Sequence, residues 1–449
     1  MRTINLALLV ASALAQVSTS AVNWPQFRGP DACGVDSSKP APIRWNLNRG
    51  ENVQWQTEIP GLAHSSPILW DDRIYVTTAV QKDKADLKVG LYGSIDPVAN
   101  DQPQQWRLIA VDKKSGKILW NTLAQETLPR VSRHPKATHC NSTPATEGHR
   151  IVTIFGSEGL FCFDMDGKLM WKKSLGPMDS GYYVVPTAQW GFASSPVIHD
   201  GRIVVLCDVQ TNSFVACFDI LNGIELWRTQ RKDVPTWGTP TITRVGGQTQ
   251  ILVNGWHRTG AYDFSNGKEV WNLNGGGDIP VPTPIVAGDF AYFTSGHGPQ
   301  GRPIRAIELQ AKGDITPAKG NAKSEGVAWV QPRLGNYMQT PLVVRNNLYA
   351  CYDTGVLTCL DATTGNVHYS ERLGTGSEGF TSSPISDGRN VFIASENGNV
   401  YVVPASTKFS VIATNRMNET CMATPLISDG MLCYRTREKL VALSDALAR

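Results

Sequence analysis

Four stretches of this chain obey one rule. "AVDKKSGKILW" (110–120), "CFDMDGKLMW" (162–171), "CFDILNGIELW" (217–227) and "AYDFSNGKEVW" (261–271) each pass from a short apolar run through an Asp and a Gly to a Trp. A second mark alternates with them: two mostly small residues and then a proline, at Pro67, Pro144, Pro196, Pro240, Pro284, Pro341, Pro384 and Pro425. The shortest spacings between successive prolines are 44, 44, 43 and 41 residues. Short β-type runs such as "RIVVLCDV" (202–209) fill the intervals, and no helical periodicity is sustained beyond the first residues. Each unit therefore reads as four strands: A after the proline, B after a turn, C ending at the Asp, and D carrying the Trp.

Units of about 40 residues with four strands each are the blades of a β-propeller. The expected fold is all-β, an eight-bladed propeller of four-stranded blades. In each blade the Asp carboxylate caps backbone N–H groups of the C–D turn, and the Gly supplies a positive φ. The ring lies between neighbouring blades: Trp55, Trp120, Trp171, Trp227, Trp271 and Trp329, with Tyr369 in the sixth blade. Burying such a ring removes ~150–250 Å² from water, a gross gain of roughly 4–6 kcal/mol. The seventh blade ("KFSVIATN") has no aromatic there, which predicts a weaker seam. After Pro425 the chain supplies strands A, B and C only; "NVQWQTEI" (52–59) is the missing D strand, closing the ring from the other end.

The propeller thus spans 52–443, preceded by an arm (22–51) and followed by a tail (444–449). Trp24, Phe27 and Trp45 make the arm aromatic enough to pack on the ring. Residues 1–15 read as a cleavable signal peptide, with Arg2, the apolar stretch "LALLVASALA" and a small-x-small site, and with an alternative cut after residue 21. The expectation is a periplasmic or secreted monomer. No later stretch is apolar enough to span a bilayer.

Charged residues make up 18% and the net charge is +3 with no Lys/Arg run, which argues against a nucleic-acid partner. Nine cysteines include no adjacent pair, no C-x-x-C and no haem site. If Thr354-Gly355 is a two-residue turn, Cys351 and Cys359 fall on opposite faces of their hairpin. Free buried thiols are expected there and at Cys207 and Cys217, hairpin disulfides requiring turns with an odd number of residues. "SGHGPQG" (295–301) and "LNGGGD" (273–278) do not join a strand to a helix and read as loops; no HExxH or GxSxG occurs.

The blades resemble the pyrroloquinoline-quinone (PQQ) repeat family, whose tryptophan-docking motif A-x-D-x-x-x-G-K-x-x-W is matched by Ala110, Asp112, Gly116, Lys117 and Trp120. Ala261, Asp263, Gly267, Lys268 and Trp271 match it again. "WPQFRGP" (24–30) is similar to a leader on exported propellers of this kind. The resemblance implies one of two functions. Quinoprotein alcohol dehydrogenases hold PQQ between a Trp floor and a disulfide of adjacent cysteines, with calcium and a catalytic Asp; this chain has no adjacent cysteines. The non-catalytic branch, similar to the propeller lipoprotein of the outer-membrane assembly machinery, binds partners, though this chain lacks the lipidation Cys. The reading favours an exported binding or scaffold propeller with no cofactor. PQQ with calcium, in a PQQ-dependent dehydrogenase, is the alternative enzyme reading, and an outer-membrane protein assembly factor is the other.

The site follows from the loops. B–C loops and D–A links emerge on one face, A–B and C–D turns on the other. Long insertions at 80–105, 121–140, 177–193 and 296–303 share the first face, and only 310–326 falls on the second. Function concentrates on loops held by a rigid scaffold. The candidate binding face gathers His64, His139, Tyr182, Tyr183, Trp190, Trp237, His257, Arg258, His297 and Tyr337, with Arg133 and His134. Such a set suits a protein, peptide or glycan of the cell envelope, or an anionic small molecule. The coverage of the ring by these loops is itself the simpler explanation of their length.

Overall fold

Residues 22–90, 95–99, 101–297, 301–319, 321 and 323–445 are described by a computed structural model. The signal-peptide reading and residues 446–449 of the tail lie outside them. The described strands form eight mainly antiparallel sheets in the order A-B-C-D, without an α-helix. The last sheet joins Leu426–Ser428, Met431–Arg435 and Lys439–Leu443 to Val53–Glu58, with Gln56 opposite Val441. The N-terminal strand thus completes the eighth blade, as its sequence predicts.

Each proline begins an innermost strand, where a ladder N–H has no neighbour to serve and its loss costs nothing. The residue before it is Ser or Thr in all eight blades: Ser66, Thr143, Ser195, Thr239, Thr283, Thr340, Ser383 and Thr424. These residues form a belt about the axis. The N–H of Ser66 donates to Thr143 Oγ1, that of Thr143 to Ser195 Oγ, and so on to Thr424, seven steps of 2.9–3.2 Å. Each step satisfies a buried backbone donor with the next blade's hydroxyl, so the belt welds the inner ends of the blades.

At the outer end the Asp–Gly–Trp signature has a two-sided explanation. Asp112 Oδ1 accepts from Ser115 N (2.7 Å) and Asp361 Oδ1 from Thr364 N (2.7 Å). The glycine lies beneath the preceding blade's ring: a Cβ on Gly116 (φ 71°) would stand 2.6 Å from Trp55 Cδ2. The indole N–H then donates to the carbonyl after the turn's Asp: Trp55 to Lys113, Trp171 to Ile220, Trp227 to Phe264 and Trp329 to Ala362, at 2.8–3.0 Å. Trp120 is the exception, its Nε1 buried without a partner. The second blade's turn is one residue shorter, and its corresponding carbonyl, Met165 O, is taken by Arg73 (2.8 Å). Trp271 differs too. The insertion 310–326 packs on it through Ala311 and Ile315, and adds Gly313–Asp314 as a parallel fifth strand to the fourth blade.

The seventh D strand carries no ring, as its sequence indicates, but the seam is filled from elsewhere in the chain. Trp45 of the arm fills it, packed on Tyr434 (centroids 6.0 Å) and bonded through its backbone N–H to Asn415 Oδ1 (3.0 Å). The rest of the arm crosses the face of the A–B turns. Trp24 pairs with Leu69 and Val35 with Ser386, while Arg28, 1% exposed, donates to the carbonyls of Ala32, Cys33, Pro341 and Pro384. "WPQFRGP" is therefore a plug across the axis.

Two sequence expectations change. The first blade's D strand runs Ile118–Thr127 against Gln104–Asp112, so the supposed link 121–140 begins as strand. In the sixth blade Cys351 faces Leu357 and Cys359 faces Tyr349, which puts both thiols on one face as diagonal neighbours. The turn holds an odd number of residues, not two. All nine cysteines are free thiols, eight of them buried.

Candidate functional site

An axial cavity of about 340 Å³ opens among the loops. Six of the belt's hydroxyl residues, from Thr143 to Ser383, line it together with Ser66 and Thr424, and Phe27 of the plug reaches it from the arm. The arm stops one end of the axis, so the cavity is a pocket open toward the loop-rich face. Its wall carries an aromatic stack: Tyr182 lies parallel to Trp190 (5.6 Å, 6°), which leans on Trp237 (5.7 Å, 31°), and His134 meets Trp190 edge-on. His297 continues the wall, meeting Tyr182 edge-on (6.5 Å) and packing on Tyr337 (5.2 Å). The indole donors are spent, Trp190 Nε1 on Ile95 O (3.2 Å) and Trp237 Nε1 on Gly191 O (2.9 Å), so ring faces and edges remain for a ligand.

The long B–C segment of the first blade is laid over this wall by specific bonds. Val98 N donates to Arg133 O (2.8 Å), Ser132 Oγ to Val98 O (3.0 Å), and Asp101 accepts from His139 (2.7 Å). Gly90 N reaches Glu396 of the seventh blade at 2.5 Å, so the segment spans the eighth blade between them.

Charge at the pocket is already balanced. Lys136 Nζ pairs with the buried Glu396 (2.7 Å), which Thr381 also holds, and His297 pairs with Asp278 (2.9 Å). His64 donates from Nε2 to Lys136 O (3.0 Å). Burial, reinforced by Arg435, Arg133 and Lys136, lowers its pKa to about 4, so the imidazole is neutral at physiological pH. Burial also pushes the Tyr337 phenol up.

Six of the ten sequence candidates line the pocket: His64, Tyr182, Trp190, Trp237, His297 and Tyr337. Four do not. His139 anchors the B–C segment through Asp101, and Tyr183 packs on Trp256 (4.9 Å) outside the mouth. His257 stacks on Trp256, and Arg258 is bound to Glu269 (2.8 Å), because Asp233 holds both backbone N–H groups away from the axis. Arg133 is 3% exposed and serves the carbonyls of Ala137 and Asp86. Sequence reasoning missed Lys136, Glu396, Asn141 and the hydroxyl belt. The belt had a signal, since Ser or Thr precedes all eight prolines.

The family model described as outer membrane protein assembly factor BamB matches residues 37–183, 106–367 and 312–414. The chain belongs to this PQQ-like propeller family. Among solved PQQ-like propellers, the crystal structure of BamB from Moraxella catarrhalis is similar at 13% identity and TM-score 0.55, over 82% of this chain and 98% of that one. A europium-containing methanol dehydrogenase is similar at 12% identity and TM-score 0.60, over 94% and 89%. The quinohemoprotein alcohol dehydrogenase from Comamonas testosteroni is similar at 11% and 0.58, over 95% and 81%. Identities this low carry the fold alone. No curated protein sequence matches.

The family's quinoprotein members raise the question of fit to PQQ and calcium. Calcium takes oxygen ligands, above all carboxylates. Among the described residues lining this pocket there is no Asp, Glu or Cys, so neither a carboxylate cage nor a cysteine pair is offered. The lining does not fit that cofactor pair, and no chemistry is derived through it.

Proposed function

We propose that this PQQ-like propeller is a non-catalytic binding or scaffold protein of the cell envelope. It captures a protein partner on its loop-rich face, and an uncharged side chain of the partner seats in the axial pocket. The observation that carries this reading is the Tyr182–Trp190–Trp237 stack at a pocket where Lys136 and His297 each already face a carboxylate. Large rigid aromatics around a desolvated pocket are the usual anchors of protein recognition. The neutral His64 and the carboxylate-free lining support binding over catalysis, and the sequence of residues 1–21 supports export.

The test is capture from an envelope extract with immobilised wild-type protein and with Trp190→Ala, each washed identically. A partner retained by the wild type and lost with the variant is the expected result. Retention that ignores Trp190 removes the pocket from the reading. Addition of PQQ and calcium is expected to leave the quinone spectrum and the melting temperature unchanged. A saturable spectral change accompanied by dye-linked alcohol oxidation would replace the binding protein with a dehydrogenase.

A further inference from the structure

Where the last blade meets the first, two guanidinium groups come together whose hydrogen-bond acceptors are all neutral. Arg435 ends the strand Met431–Arg435 and is 4% exposed. Its Nη1 donates to Ser65 Oγ (2.9 Å), Thr77 O (2.6 Å) and Ser65 O (3.4 Å), which ties the eighth blade to the first. All three acceptors are neutral. Among the described residues Nε and Nη2 have no acceptor, and no carboxylate lies within ion-pair distance. Two residues on, Arg437 donates to the carbonyls of Gly61 and Ala85, both at 3.1 Å and both neutral.

The acids of this segment are engaged elsewhere. Glu419 accepts from Thr436 Oγ1 and Glu438 N (3.0 Å) and meets Lys439 at 3.5 Å, and Glu438 is held by Lys84 (2.7 Å). Across the way His64 is neutral, and Lys136 belongs to Glu396. Burial, with Arg437 as a like charge, draws the Arg435 guanidinium down to about 10, which still leaves it charged at neutral pH. Buried charges are ordinarily paired, because desolvation is costly without a partner.

Arg435, Arg437, His64, Thr420 and Thr436 line a chamber of about 10 Å³ behind the axial pocket. That is close to the room needed by one water-sized particle. A water molecule would fit but cannot neutralise a guanidinium, whereas a small monovalent anion of comparable size carries the opposite charge.

We propose that this chamber binds one small monovalent anion of halide size, held by the unspent N–H groups of Arg435, as part of the closure between the eighth and first blades. The site does not depend on the proposed partner binding. Its ligand contributes to folding by mass action, since the chamber exists only when the ring is closed.

The experiment uses the full chain, melted in sodium bromide, sodium chloride and sodium gluconate at equal ionic strength, gluconate being too bulky to enter. A higher melting temperature in both halides than in gluconate is expected, and equal melting in the three salts overturns the proposal. Arg437→Gln, which keeps the Arg435 tie between blades, should shrink the halide shift. A halide shift unchanged in Arg437→Gln and in Arg435→Gln would place the anion elsewhere. Bromide-soaked crystals give the direct answer through anomalous diffraction. A peak at the Arg435 guanidinium supports the site, whereas bromide confined to the outer surface with water in the chamber refutes it.

Discussion

The seam between the third and fourth blades and the seam between the seventh and eighth reach one packing solution by different routes. In the first, the repeat supplies everything: Trp227 on the D strand lies over Gly267 and donates to Phe264 O (3.0 Å). In the second, the D strand Ala413–Arg416 carries no ring, and Trp45 arrives from the arm, far away in sequence. Asn415 binds the visitor on both sides, accepting from Trp45 N and donating to Ile43 O (3.0 Å). The repeat determines where a ring must sit. It does not determine which part of the chain provides it.

The comparison is most exposed to large-to-small substitution. Trp45→Ala, at a buried ring, should cost about 3–5 kcal/mol in denaturant unfolding, and Trp227→Ala and Trp171→Ala, whose rings are half-buried, somewhat less. A cost below about 1 kcal/mol for Trp45→Ala alone would leave the repeat seams structural and make the arm's ring ornamental. A smaller effect is expected at the inner ends of the blades, between the fourth and fifth. Thr283→Val keeps the shape of the side chain but removes the acceptor for Thr239 N–H (3.2 Å), and leaving a buried donor unsatisfied costs about 1–3 kcal/mol. An unchanged unfolding midpoint would mean that the belt is decorative and the seams alone hold the ring.

The smallest effect is a pH dependence. The folded pKa of His64, about 4, lies below its ordinary value of 6.5. Between these values the unfolded chain binds the proton and the folded chain does not, so stability falls as the solution is acidified from pH 6.5 toward 4. The melting temperature of the wild type should drop across this window more steeply than that of His64→Gln. Parallel curves would show that the imidazole is not held neutral by the pocket.

The sequence announced the outer ends of the blades far better than the axis. Asp, Gly and Trp recur at fixed offsets because they solve a local problem within one C–D turn and its neighbour, and local solutions repeat. Closure by Val53–Glu58 was legible for the same reason, since a blade short of one strand is a visible defect. The pocket is different. Lys136 and Glu396 come from different blades, and Gly90 bonds to both, so no spacing in the chain records their contact. His257 and Arg258 show the converse: they sit in the right loop, yet Asp233 turns them outward. The face was readable from loop lengths, while the orientation of individual side chains depended on partners from other blades. The hydroxyl belt lay in plain view beside the prolines, but its meaning requires knowing that strand A is innermost.

The arm also sets an order of events. Its plug and its strand come early in the chain, but the surfaces that receive them, Ser386, Asn415 and Lys439–Leu443, come near the end. During synthesis, Val53–Glu58 must wait as an unpaired edge, with Trp24 and Trp45 exposed beside it, until the eighth blade exists. Ring closure is then the slowest step by contact order, and the waiting edge is the segment most in need of protection from other chains.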